Sequence, residues 1–238
     1  MRPESGSERP MTSRKRIARR AGALYIAMSL SAINLVYFPS VFLVRGDAAA
    51  TAARIAAAPR LYRLLVLVDL AAGVAAIFLA MTLYQLFRDV DRRQARLLVA
   101  MLLVQVPMMF VVTVLQMAPR VVLSGAGFWS AFEKAQLDAL ALGLLNLRSQ
   151  AIGGLSIYWG LWLLPLGILT YRSGFLPRLL GVLLIVAACA YVISAVIFFL
   201  FPAAYGTAFN LGIPLYALGE LGIVNWLLIK GAREEVAA

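Results

Sequence analysis

The chain has 238 residues, of which 63% are hydrophobic and 14% charged, against roughly 45–50% and 25% in soluble domains. It carries 22 Lys and Arg, 11 Asp and Glu, no His and one Cys. An ordinary soluble enzyme is excluded by the composition. The missing histidines exclude a His-held haem, a Ser-His-Asp arrangement and the common zinc sites, so no metal and no cofactor are expected.

In chain order, residues 1–18 read as a disordered, basic tail: Pro3, Ser5, Gly6, Ser7 and Pro10 precede Arg14, Lys15 and Arg16, a composition that cannot bury a core. Residues 19–231 form the membrane domain, and 232–238 a second short tail. A bilayer span needs roughly 20 mostly apolar residues. Six stretches meet that length, at about 21–44, 61–86, 96–118, 149–171, 176–201 and 209–230. The fold class is therefore all-α, a polytopic integral membrane helical bundle with short outer interfacial helices. The first apolar run is longer than the 7–15 residues of a signal-peptide core, which favours an uncleaved anchor over a cleavable signal.

Between the first two spans, Asp47 precedes an Ala-rich run ending at Pro59, the pattern of a short helix with Asp47 as N-cap. Residues 131–147 place Leu137, Leu140, Leu144 and Leu147 at helical spacing opposite Glu133, Lys134 and Asp138. That stripe predicts an amphipathic helix on the outer interface or capping the bundle, burying its leucines, with Phe128 and Trp129 as interface anchors. Tight turns are expected at Arg88–Gln94 and at Tyr171–Pro177, where Gly174 and Pro177 act as breakers.

Cations set orientation. Fifteen lie in segments 1–20, 88–96, 172–178 and 230–233, and seven lie in the alternate segments, at Arg45, Arg54, Arg60, Arg63, Arg120, Lys134 and Arg148. The positive-inside rule then places both termini in the cytoplasm, with the protein in the bacterial cytoplasmic (inner) membrane. The excess of positive charge is expected to meet anionic lipid head groups at the cytoplasmic face, with no nucleic acid as partner. Cys189, inside the fifth span, is a packing residue and has no second cysteine to pair with.

Asp69 and Glu220 are the only carboxylates inside the predicted spans. Ionised acids at a helix centre cost about 2.5–3.5 kcal/mol on insertion scales, so such residues face protein or water and mark sites. Asp69 shares a helical stripe with Ala72, Ala76 and Ala80, a small-residue packing face, and Glu220 sits beside Gly219 and Gly222. Asn34, Gln105 and Tyr191, the last with Ser194, lie at similar depth. Together Asp69, Glu220, Asn34, Gln105 and Tyr191 form the expected ligand- or ion-binding set. Arg63, more than one turn from Asp69, is badly placed for a direct contact, which leaves a long side chain reaching from a neighbouring span as the one way to bring a cation close. With none nearby, at least one of the pair is expected to be protonated at neutral pH.

From Arg19 to Gly231 the chain resembles the domain-of-unknown-function 4386 family of bacterial membrane proteins. The resemblance rests on Gly46-Asp47-Ala48-Ala49-Ala50-Thr51-Ala52 leading to Asp69-Leu70, on Tyr171-Arg172-Ser173-Gly174-Phe175-Leu176-Pro177-Arg178, and on Gly219-Glu220-Leu221 with Trp226-Leu227-Leu228-Ile229-Lys230-Gly231. It implies a six-span helical membrane protein and supplies no activity and no catalytic residues. Members often carry His around the fourth span, where this chain has none. Three functions remain open: a transport or ligand-binding bundle with an intramembrane acidic site for a proton, a cation or a small lipophilic ligand; a non-catalytic membrane subunit whose polar groups are structural; and a lipid-modifying membrane enzyme. The first fits the two acids best, and nothing in the sequence specifies catalysis.

Overall fold

A computed structural model describes residues 13–233; the expectations for residues 1–12 and 234–238 lie outside it. The elements are α1 (Ser13–Phe42), α2 (Ala48–Ala57), α3 (Pro59–Phe87), α4 (Arg92–Val122), α5 (Lys134–Arg172), α6 (Arg178–Leu200) and α7 (Pro202–Asn225), the last running into a π-helical turn, Trp226–Lys230. Six of these helices are long and apolar enough to cross a membrane. The protein is thus a multi-pass helical membrane protein. The tail expected over 1–18 gives way to helix already at Ser13.

The spans alternate in direction and each packs on the next, in the order α1, α3, α4, α5, α6, α7. The final π turn returns to α1, so the six helices close into a ring. Gly22 makes that closure possible, since a Cβ there would lie 2.6 Å from the backbone nitrogen of Leu228. Arg19 Nη2 donates to the Ile229 carbonyl at 3.1 Å across the same seam. At this end of the ring, which also holds both described chain ends, Arg172 pairs with Asp91 at 3.2 Å, Phe87 stacks on Phe175, and the Arg233 amide donates to the Phe175 carbonyl at 3.0 Å.

The opposite end is capped. Asp47 Oδ1 accepts from the Ala50 amide at 2.8 Å and starts α2 as expected. α2 buries Thr51, Ala52 and Ile55, and Ile55 joins Phe38, Phe42, Tyr62, Leu65 and Leu145 in a compact apolar cluster. Phe128 and Trp129 stand in a 3₁₀ turn, and Trp129 Nε1 holds the Val121 carbonyl at 2.9 Å.

One expectation is corrected here. The segment from 131 to 147 is no separate interfacial helix. α5 runs unbroken for 39 residues, its first turn closed by a Glu133/Gln136 capping box, and its buried face carries Asp138, Ala141, Leu145 and Arg148. Leu140 and Leu147 stay 41% and 53% exposed. The inward face is dictated by the span with which the segment is continuous: 138, 141, 145, 148, 152, 155, 159 and 162 recur at intervals of three and four, the spacing of a single helical stripe. Asp138 is reconciled to burial by an ion pair with Lys134, one turn away.

Candidate functional site

The ring encloses a cavity of about 320 Å³, at the lower end of the range for small-molecule pockets. Every span contributes to its lining, and four of the five residues singled out from the sequence face it: Asp69, Gln105, Tyr191 and Glu220. The fifth, Asn34, is 1% exposed and holds Asp69 in place, its Nδ2 donating to Asp69 Oδ2 at 2.6 Å and to the Leu65 carbonyl at 3.0 Å. The two acids thus share one interior space.

Glu220 is held by two helices at once. Tyr25 of α1 donates to Oε2 at 3.0 Å, and Tyr191 of α6 donates to Oε1 at 2.8 Å. α6 and α7 can approach this closely because residue 219 is glycine; a Cβ there would stand 2.9 Å from that of Ala187 and 3.0 Å from the Leu183 carbonyl. Aromatic rings wall this end. Tyr25 lies 5.3 Å from Trp162 between centroids, Trp159 lies 5.7 Å from Tyr191, and Tyr191 stacks on Tyr216 at 3.9 Å. Ser194 bonds the Tyr216 hydroxyl at 2.6 Å, so its partner is that tyrosine.

Toward the capped end lies the group that the sequence placed elsewhere. Arg148, counted there as a loop cation, is 4% exposed and lines the cavity. Its Nε donates to Gln116 Oε1 at 2.8 Å, and its guanidinium lies 4.7 Å from the centre of the Phe38 ring. Gln116 is itself fixed, its carbonyl accepting from the Tyr62 hydroxyl. A cation is therefore close to Asp69 after all, which removes the premise from which a protonated acid was expected. Arg148 faces Asp69 across the cavity with no ion-pair contact between them.

The two ends are set apart by α1. Tyr25, on Glu220, and Asn34, on Asp69, are nine residues apart, and Phe38, under Arg148, is four further on; at 1.5 Å per residue the polar groups are spread over about 20 Å of helix axis. Between them the walls are chiefly apolar, with Leu35, Met109, Val112, Ile152 and Leu155, interrupted by Ser29, Ser31, Gln105 and Thr113. Gln105 Oε1, of a lining residue, is buried and unbonded, as are Asn34 Oδ1 and Gln116 Nε2, of the residues bonded to Asp69 and Arg148. Each such atom costs about 1–3 kcal/mol if nothing meets it. Among the described residues no three metal-ligating side chains come together.

Sequence reasoning missed Tyr25, Tyr216, Gln116 and Arg148 as members of this network. For Arg148 the signal was present, because the stripe from Ala141 through Leu145 continues without a break into Ile152 and Leu155. Tyr25 gave none, as a tyrosine near the start of a span reads as an interface anchor.

Six apolar spans around a shared internal cavity define a polytopic helical membrane protein with an intramembrane polar site. The model of a family described as a domain of unknown function, DUF4386, matches residues 20–231, and the chain belongs to that family. A protein of Archaeoglobus fulgidus described as uncharacterized is 35% identical over 77 residues, which cover 32% of this chain and 44% of that relative. No solved structure matches.

Asp69→Asn keeps an acceptor for Asn34 but removes the charge opposite Arg148, and should destabilise the fold. Adding Arg148→Gln removes the guanidinium left unopposed, so the double variant should recover part of the loss, with a coupling of about 0.5–3 kcal/mol in a double-mutant cycle. Unfolding in mixed detergent micelles measures it, and strict additivity would show that the two charges do not sense each other.

Proposed function

We propose that the protein is a ligand-binding or carrier bundle whose cavity takes the cationic group of a small lipophilic compound, with Glu220 as counter-charge and Trp159, Trp162 and Tyr191 as its walls. The observation that carries this is the meeting of Glu220 and Asp69 in one cavity of ligand size whose remaining lining is chiefly apolar. A carboxylate bonded by two tyrosine hydroxyls still has acceptor capacity, and ring faces attract alkylammonium groups by about 0.5–2 kcal/mol each. Access from the bilayer fits the seam between α1 and α7. α1 touches α7 less than it touches the π turn, and Val36 and Ile213, one on each side of that seam, line the cavity while being 72% and 48% exposed.

A second reading has support of its own. Both acids find hydrogen-bond partners within the protein, which is also what a non-catalytic subunit with structural polar groups needs. Benzyltrimethylammonium separates the two. Only the wild-type fold with a working site should be stabilised by it and should show quenching of Trp159 and Trp162 in a Trp129→Phe, Trp226→Phe background. Glu220→Gln should keep the fold and lose at least about tenfold in affinity, the loss of one charge-assisted contact. Equal binding by wild type and Glu220→Gln, or none by either, would favour the structural role.

The orientation belongs to the same proposal. With Arg148 withdrawn into the cavity, the capped end keeps six cations against the fifteen at the other, which supports a cytoplasmic location for both termini in a bacterial inner membrane and a basic face held at anionic head groups. Reporter fusions after Arg92 should then read cytoplasmic and those near Ala57 external; the reverse pattern would invert the assignment.

A further inference from the structure

Arg148 is a strong donor of which the protein itself engages only one N–H. A guanidinium has five N–H groups. Here Nε alone is engaged, by Gln116 at 2.8 Å, while the terminal nitrogens donate no hydrogen bond among the described residues. The side chain is 4% exposed and held over the Phe38 ring, with no carboxylate in ion-pair contact. Withdrawing a cation from water with no carboxylate in contact costs several kcal/mol, and the packing around Phe38 and Leu145 itself requires no charge, Asp69 opposing the guanidinium only across the cavity. A residue needed only to fill that space could be apolar. What the position supplies is a fixed, charged fork aimed into a cavity.

We infer that Arg148 is an anion-binding end of the cavity, taking the carboxylate or phosphate of an elongated amphiphile that carries its cationic group at the other end. This rests on the cavity being the ligand site proposed above, and adds the ligand's second charge and its length. Arginine presents parallel N–H groups that match a carboxylate or phosphate in bidentate fashion. The guanidinium stands near the capped end of the spans. Glu220 and its aromatic walls stand about 20 Å away along α1, and the stretch between is lined by Leu35, Met109, Val112 and Ile152. Asp69, Gln105 and Thr113 interrupt that apolar stretch, and a charged group at each end with a mainly hydrocarbon chain between is the complement of the lining as a whole. Asp69, roughly one turn further in than Arg148, opposes the guanidinium charge when the site is empty and repels a ligand anion that slides past it, so the anionic end is read in one direction only.

The probe is ω-trimethylammonio undecanoate, compared with its methyl ester, which keeps the length and the cation and removes the anion. Fluorescence of Trp159 and Trp162 in the Trp129→Phe, Trp226→Phe protein reports binding in nanodiscs. The acid should bind at least about tenfold more tightly than the ester, the difference expected for a hydrogen-bonded charged contact. Arg148→Gln should bring acid and ester together, whereas Glu220→Gln should weaken both and leave their ratio in place. Acid and ester binding alike in the wild type overturns this inference and leaves the cation site standing, whether or not Arg148→Gln folds. Failure of acid, ester and benzyltrimethylammonium alike overturns both. Complete competition by acetate or inorganic phosphate at the same concentration as the acid would show a free-anion site and overturn the amphiphile as ligand.

Discussion

The attachment of α1 decides whether this protein has an interior. Lipid tails solvate apolar helices as well as a neighbouring helix does, so spans associate through close packing and through polar contacts that lipid cannot replace. α1 is held on one side by Asn34, which reaches Asp69 and the Leu65 carbonyl on α3, and on the other by Tyr25, which reaches Glu220 on α7. Those contacts join residues 35 and 195 positions apart in the chain. Without them α1 would keep its apolar packing on α3 and its seam with the π turn at Gly22 and Arg19, but nothing would hold it at the depth of the cavity.

Packing and polarity are divided between regions. Along α3, Ala72, Ala76 and Ala80 are fully buried and let α1 and α4 approach closely, as small residues do in membranes. The lipid-facing surface is the inverse: Val36, Leu179, Leu200 and Leu211 are between 66% and 74% exposed, a coat that would aggregate in water and is ordinary in hydrocarbon. The buried polar groups face the interior, where the same carboxylates that bind helices together also face an accessible volume. The structural role and the proposed ligand-binding role therefore fall on shared atoms. The proposed site uses the lone pairs of Glu220 that Tyr25 and Tyr191 leave vacant, and the N–H groups of Arg148 that Gln116 leaves vacant.

Much of this was legible in the sequence. Span number follows from hydropathy over stretches too long for anything else, and the acids stood out because a carboxylate in a span is costly enough to be rare. The depth of Asp69 on an alanine stripe was enough to aim it inward. Arg148 was misassigned for a definite reason: a loop was drawn where charges cluster around Glu133, Lys134 and Asp138, and a helix that continues beyond the bilayer reads like the start of a loop. Its inward stripe crossed the assumed boundary intact. The pairing of Tyr25 with Glu220 was illegible, because tyrosine near a span is usually an interface anchor and which helix faces which depends on the closure of the ring. The leucine stripe at 137–147 misled because amphipathicity shows two faces without saying which one meets protein when lipid is the alternative solvent for the apolar side.

The claim on which the rest stands is that Tyr25 fastens α1 to α7 at Glu220. Tyr25→Phe, measured by equilibrium unfolding in micelles in the wild-type chain and again in a Glu220→Leu chain, tests it directly. With the contact present, removing the hydroxyl should cost about 1–3 kcal/mol in the first background and close to nothing in the second, where no carboxylate is left to receive it. An equal cost in both, or none in the first, would mean that α1 and α7 are not joined at Glu220 and that this end of the cavity is not built as described.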